Sequence, residues 1–181
     1  MSTLFWIFVV RFAKRLRRIA LPILSGLLLN GAASAQQTAS TLFEDLRTMV
    51  YQVRVINIAS GDKTSIGSGF KVSADGHIAT NFHVVQLLVN KPEKYRIELV
   101  VDEDKIMPAV LVAVDVLHDL AIVRVDGAGS KSFALLADPL AKGERIYSMG
   151  NPRDLGMTII EGNFNGLVKT SRFERLLFSG S

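Results

Sequence analysis

The hydrophobic pattern changes period near residue 50. Before it, Leu42, Phe43, Leu46 and Met49 recur at helical spacing, so Thr41 to Met49 is predicted to be a short helix. Ser40 or Thr41 is placed to cap it, and Glu44 and Asp45 fall in its first turn. After it the period is two. Val53, Val55 and Asn57 alternate with Gln52, Arg54 and Ile56, and the β-branched content of Val50 to Ile58 predicts a strand. Five more short strands are predicted at Gly67 to Ser73, His77 to Thr80, Tyr95 to Val101, Ile106 to Val116 and Leu120 to Val125. Turn signals separate them: Ser60-Gly61-Asp62, Ala74-Asp75-Gly76, Asp102-Glu103-Asp104 and Asp126-Gly127. His83 to Leu88 reads as one or two helical turns. Six short strands in so small a unit predict an antiparallel sandwich or barrel.

A second unit follows a loose stretch rich in Gly127, Gly129, Ser130 and Pro139. Its predicted strands are Arg145 to Met149, Thr158 to Asn163, Gly166 to Lys169 and Phe173 to Phe178. Three or four strands do not close a barrel, so this unit is expected to be partial within the 181 residues. No solenoid-type repeat is present.

Charge changes the picture less than its total suggests. The net charge is +4, but Arg11, Lys14, Arg15, Arg17 and Arg18 all precede Ala35, where there is no acidic residue, which leaves the remainder at −1. A nucleic-acid partner is therefore not expected, because a phosphate-binding face needs its cations on the folded domain. The basic stretch, the apolar run Ile19 to Leu29 and the small residues Ala33-Ser34-Ala35 follow the order of a secretory signal, with cleavage expected after Ala35 and export to the periplasm or cell envelope. Leu4 to Val10 is a second apolar run ahead of the basic residues. The Ile19 to Leu29 run is too short to span a bilayer, which takes about 20 residues, so membrane attachment is expected only through an uncleaved leader. The chain has no cysteine, which removes thiol catalysis and Cys-based zinc sites.

Chemistry concentrates in Gly67-Ser68-Gly69-Phe70, Asp75-Gly76-His77-Ile78 and Thr80-Asn81-Phe82-His83-Val84-Val85. The small residues at 67 to 69 suggest a strand passing close to another backbone. Asp75-Gly76 suits a tight hairpin whose second strand delivers His83 at its end, where a rigid scaffold makes a histidine a candidate general base. A base of this kind needs an orienting acid. Asp119, at the mouth of the apolar strand Leu120 to Val125, fits, since an unpaired carboxylate there would be costly and a bond to the imidazole would satisfy it. Asp115 is the rival acid. His77 reads as a hairpin residue and His118 as a solvent-facing or locally paired one. A zinc site from His77, His83 and His118 lacks tight ligand spacing.

The stretch from Gly67 to Val85 resembles the histidine segment of HtrA/Deg-type trypsin-like serine proteases. Asp119-Leu120-Ala121-Ile122-Val123 resembles the aspartate strand of that family, and Gly143 to Pro152 its G-x-x-V-x-x-x-G-N-P segment. The resemblance runs in order over Val50 to Val168. It implies a mostly β, chymotrypsin-like double β-barrel. Together with the leader and helix read above, the expected organisation is 1–35 a signal peptide, 36–49 a linker and helix, 50–126 a complete first barrel, 127–143 the connection, and 144–181 an incomplete second barrel. The resemblance further implies a serine endopeptidase acting on exported or misfolded polypeptides, with His83 as base, Asp119 as its partner and no cofactor or metal. The family's G-N-S-G-G nucleophile motif does not occur in the 181 residues, and Ser179 and Ser181 read as loop serines. The chain alone is therefore expected to be inactive. The alternative is a protease fold used as a non-catalytic peptide- or protein-binding module. Cleavage specificity, oligomeric state and further domains are not readable from these residues.

Overall fold

The computed structural model describes residues 39–101, 105–135, 139–151, 156–170 and 173–180. The leader with its Ala33-Ser34-Ala35 site, the Asp102 to Asp104 turn, Pro152 and Ser181 lie outside them.

Helix α1 (Ala39–Leu46) runs into a single 3-10 turn (Arg47–Met49) and then into β1 (Val50–Asn57). The strands β2 (Lys63–Lys71), β3 (His77–Thr80), β4 (Tyr95–Val100), β5 (Ile106–Asp115) and β6 (Leu120–Arg124) complete the first unit, with helix α2 (Phe82–Asn90) between β3 and β4. These six strands close into a barrel in the order β1-β2-β3-β6-β5-β4, every neighbouring pair antiparallel. Closure leaves no exposed strand edge. The interior is filled by apolar side chains from β1, β3, β4, β5, β6 and α2, among them Val53, Ile78, Val85, Leu99 and Val123.

The fold is mostly β with a closed barrel, as expected, but several local expectations change. β1 does not alternate between core and solvent. Gln52 and Ile56 are buried along with Val53 and Val55, because β1 faces the barrel interior on one side and packs against the second sheet on the other. β2 begins at Lys63 rather than Gly67, since the polar residues before the glycines still pair with β1 from Ile56 to Arg54. The second unit is a three-stranded antiparallel sheet of β7 (Arg145–Gly150), β8 (Thr158–Thr170) and β9 (Phe173–Gly180), in the order β7-β8-β9. Two strands were expected where β8 is one. The register slips between Phe164 and Gly166, and Gly166 has φ +118, so the predicted break is a β-bulge inside a continuous strand.

The connection between the units is tied to the barrel by Lys71. This residue is fully buried, and its Nζ donates to the Ala128 carbonyl at 2.8 Å and to the Gly129 carbonyl. Burial pushes its ammonium below the usual lysine range, opposed by the charge of Asp75. The Phe133 amide donates to the Lys71 carbonyl at 2.9 Å, and the Phe70 and Phe133 rings meet edge to face at 6.0 Å.

Candidate active site

The hairpin that delivers the histidine turns at Gly76. Its φ is +82, and a Cβ built there would lie 2.1 Å from the Val125 carbonyl oxygen, so only glycine fits. Val125 N donates to the Gly76 carbonyl at 3.0 Å and locks the turn onto the end of β6. His77, as expected, is a hairpin residue, its Nδ1 2.9 Å from Ser73 Oγ.

β3 ends at Thr80 and the chain enters α2 through Asn81, which is extended (φ −88, ψ 146) and makes no side-chain cap of its own. The cap comes instead from the β5–β6 turn. The Asp119 carbonyl accepts the Phe82 amide at 3.2 Å and the Asn81 Nδ2 amide at 2.9 Å, and Asp119 Oδ1 accepts the His83 amide at 2.8 Å. Two of the amides that open a helix without intrahelical partners are thus satisfied by one residue of another strand, and its negative charge sits at the favourable end of the helix dipole.

The other carboxylate oxygen faces the imidazole. His83 Nδ1 donates to Asp119 Oδ2 at 2.8 Å, with the two side chains 45% and 33% exposed. A carboxylate only accepts, so the bond fixes the proton on Nδ1 and leaves Nε2 as the ring nitrogen able to take a proton from a third group. To make this bond Asp119 adopts φ +55. It is the one non-glycine residue with positive φ among the described residues, and aspartate is among the few types that tolerate this region.

The structure brings together His83 and Asp119. It gives the rival acid a different partner: Asp115, the last residue of β5, accepts the His118 amide at 3.0 Å and His118 Nδ1 at 2.6 Å. Those hydrogen bonds, backbone first, hold the Asp115 carboxyl below the usual aspartate range. Among the described residues no group of three or more His, Cys, Asp or Glu side chains is placed to hold a metal ion. Ser179 lies in β9 opposite Asn163 rather than in a loop.

The Gly67-Ser68-Gly69 segment acts mainly through side-chain packing. A Cβ at Gly67 would lie 2.4 Å from Val84 Cγ2, so the missing side chain lets α2 settle onto β2. Gly69 has Ile78, Val53 and the Ala79 carbonyl at 2.8 to 3.1 Å. Only the last is the close backbone approach that was expected. Ser68 between them joins the two units. Its carbonyl accepts Thr80 Oγ1 at 2.8 Å and its Oγ accepts the Asn151 amide at 2.9 Å. Sequence reasoning missed the roles of Asn81 and Ser68, although both stand inside the motifs it singled out.

Comparison with known proteins bears on the family and the fold. The trypsin-like peptidase domain family matches residues 67–180. The mitochondrial serine protease HTRA2 of Drosophila pseudoobscura pseudoobscura is 31% identical over 109 residues, covering 60% of this chain and 25% of its own length. A probable periplasmic serine endoprotease DegP-like from Ectopseudomonas mendocina (strain ymp) is 31% identical over 103 residues, covering 54% of this chain and 20% of its own. The chain thus spans a quarter or less of these curated relatives. Among solved structures, Deg5 superposes with a TM-score of 0.65 at 23% identity, covering 78% of this chain and 72% of Deg5. The serine endoprotease from Yersinia pestis superposes with a TM-score of 0.61 at 25% identity, covering 71% of this chain and 44% of that one.

Proposed function

This chain belongs to the trypsin-like peptidase domain family and is of the HtrA type, and we propose that its barrel carries the general base and orienting acid of a serine endopeptidase. The 2.8 Å bond from His83 Nδ1 to Asp119 carries this reading. In it, a serine hydroxyl that residues 1–181 do not themselves provide in a G-x-S-G-G motif attacks the scissile carbonyl carbon of a polypeptide. His83 Nε2 takes the hydroxyl proton and then returns it to the leaving amine. Asp119 holds the ring in the required tautomer and stabilises the imidazolium that forms in between. No step needs a metal or organic cofactor. The substrates are exported or misfolded polypeptides in the cell envelope, reached after cleavage behind Ala35. The order of charged, apolar and small residues in the leader and the periplasmic designation of one relative support this.

Within the 181 residues no G-x-S-G-G motif supplies a nucleophile. The chain alone is therefore expected not to label with a fluorophosphonate probe, and stoichiometric labelling would refute the assignment. In a form extended through the serine loop, His83→Ala should lower kcat/KM by roughly 10²–10⁴-fold or more while leaving the melting temperature nearly unchanged. Retained turnover would show that His83 is not the base. The same absent motif favours a second reading, a protease fold that holds peptides without cutting them. A substituted serine in the sequence downstream of Ser181 would select it.

A further inference from the structure

The turn that carries Asp119 is held by hydrogen bonds rather than by burial. Val116 and Leu117 are 61% and 69% exposed, so burial does not fix it. The amide of Asp119 itself reaches only the Val116 carbonyl, at 3.4 Å. Yet Asp119 sits at φ +55, a conformation an L-residue keeps only where its surroundings over-determine it. The grip from the β3–α2 side is the Asn81 and Phe82 bonds to the Asp119 carbonyl. On the turn's own side the grip is Asp115, whose two oxygens hold the amide and the ring of His118.

The two histidine–aspartate pairs have the same form. In each, one carboxylate takes the backbone N–H and the ring Nδ1 of one histidine. His118 directly precedes Asp119. Anchoring its amide and its ring leaves only ψ of His118 between the fixed peptide and the Cα of Asp119, and φ of Asp119 then aims the second carboxylate.

We propose that Asp115 and His118 form a positioning couple, a carboxylate clamp that sets the β5–β6 turn so that Asp119 meets His83. The couple touches neither substrate nor reacting atoms. The inference rests on the reading of His83 and Asp119 as base and acid. The Asp115 carboxyl, held below the usual aspartate range by its hydrogen bonds, agrees with it, because the ionised form accepts both bonds.

The test uses the 181-residue chain and two signals from His83: the tautomer of its neutral ring, read from ring ¹⁵N shifts, and hydrogen exchange of its backbone amide. The wild type should hold the Nδ1–H form. Asp115→Ala removes both acceptors, so the ring should become a mixture of tautomers. Exchange of the His83 amide should rise about tenfold, the scale of one lost charge-assisted bond, while the amides of Val53, Ile78 and Val123 in the barrel keep their protection. Asp115→Asn retains an acceptor for the His118 amide and should restore part of both signals, and His118→Ala should fall between. Unchanged His83 signals in Asp115→Ala overturn the proposal. If Asp115→Ala strips protection from the barrel amides as well, Asp115→Asn and His118→Ala decide by the same criteria: unchanged His83 signals in both overturn it, and a selective change supports it. Asp119→Asn separates the two layers of the argument. If it leaves the His83 tautomer and amide untouched, the base–acid pairing itself fails and the couple with it.

Discussion

Replacing Gly67 by alanine tests how the glycine of β2 seats the helix that carries His83. The added Cβ would stand 2.4 Å from Val84 Cγ2, 3.1 Å from Cγ1 and 3.3 Å from Cβ. Ordinary carbon contacts lie near 3.5–4.0 Å, so Val84 must retreat by about 1 Å. It cannot do so by turning its side chain, because valine in a helix holds essentially one χ1 rotamer and this one is buried in the barrel core. Helix α2 must move instead. Overpacking of this kind costs about 1–3 kcal/mol. Restricting the unfolded chain by Gly→Ala returns about 0.4–1 kcal/mol, so the net loss should be about 1–2 kcal/mol.

Val84→Ala alone removes two buried methyl groups and should cost about 2–3 kcal/mol, counting about 0.8 for each group plus the cavity left behind. In that background the new methyl of Gly67→Ala meets only the retained Cβ of residue 84, at 3.3 Å, and its effect should turn near neutral, within about 0.5 kcal/mol. The double-mutant cycle should therefore show a coupling of about 2 kcal/mol, with the pair less destabilised than the sum of the singles. Urea denaturation followed by circular dichroism reads this directly. With a slope of about 1–2 kcal/mol/M, the double mutant should melt about 1–2 M above the additive midpoint. Additivity within about 0.5 kcal/mol would refute the claim that contact with Val84 is what requires glycine at position 67.

Gly76→Ala should be more damaging, by more than about 3 kcal/mol. It combines a positive φ with a Cβ 2.1 Å from the rigid Val125 carbonyl, and its urea midpoint should fall by most of the wild-type value. The buried Lys71 predicts an alkaline stability profile. Its folded-state ionisation is depressed below the 10.5 of a free lysine, so the unfolded chain binds the extra proton and stability should rise as pH climbs toward 10.5. Burial raises the Tyr51 phenol above 10.0, and its contribution is lost as pH rises beyond that, so the two act in opposite directions. Thermal melts from pH 7 to 10 should show the rise in the wild type, and in Lys71→Met a profile that does not rise and begins to fall near pH 10. An unchanged rise in the variant would exclude Lys71 as its source.

Much of the barrel was legible because its strands are short, β-branched and separated by turn residues, and because Asp75-Gly76 marks a hairpin that only glycine can close. The histidine stood out for the same reason, at the end of a strand with an identifiable turn behind it. What escaped the reading depends on contacts between distant segments. β1 looked like a half-buried strand, but outside the barrel it meets β7 of the second sheet, and no local period reports that. The burial of Lys71 was not read at all, because the carbonyls that receive it lie 57 and 58 residues later. The bulge at Gly166 looked like a strand break, since a glycine with positive φ serves both and only the pairing partner decides between them.

The choice between Asp115 and Asp119 shows most clearly where local reading stops. Both carboxylates bind a histidine in the same two-point manner, and the two lie four residues apart. What separates them is reach. Asp115 closes on a histidine three positions along its own turn, while Asp119, swung outward by its positive φ, spans 36 residues to the start of α2. That longer bond gives Asp119 two duties at once, capping the helix through its backbone and Oδ1 and orienting the imidazole through Oδ2. Truncation at position 119 therefore removes a cap and an orienting acid together. The amide variant is the cleaner probe, since its oxygen can still accept the His83 N–H while its NH₂ cannot accept from Nδ1. The proposed catalytic arrangement and the local fold are thus held by the same few hydrogen bonds, and a functional reading of this site is inseparable from the account of why the turn and the helix meet.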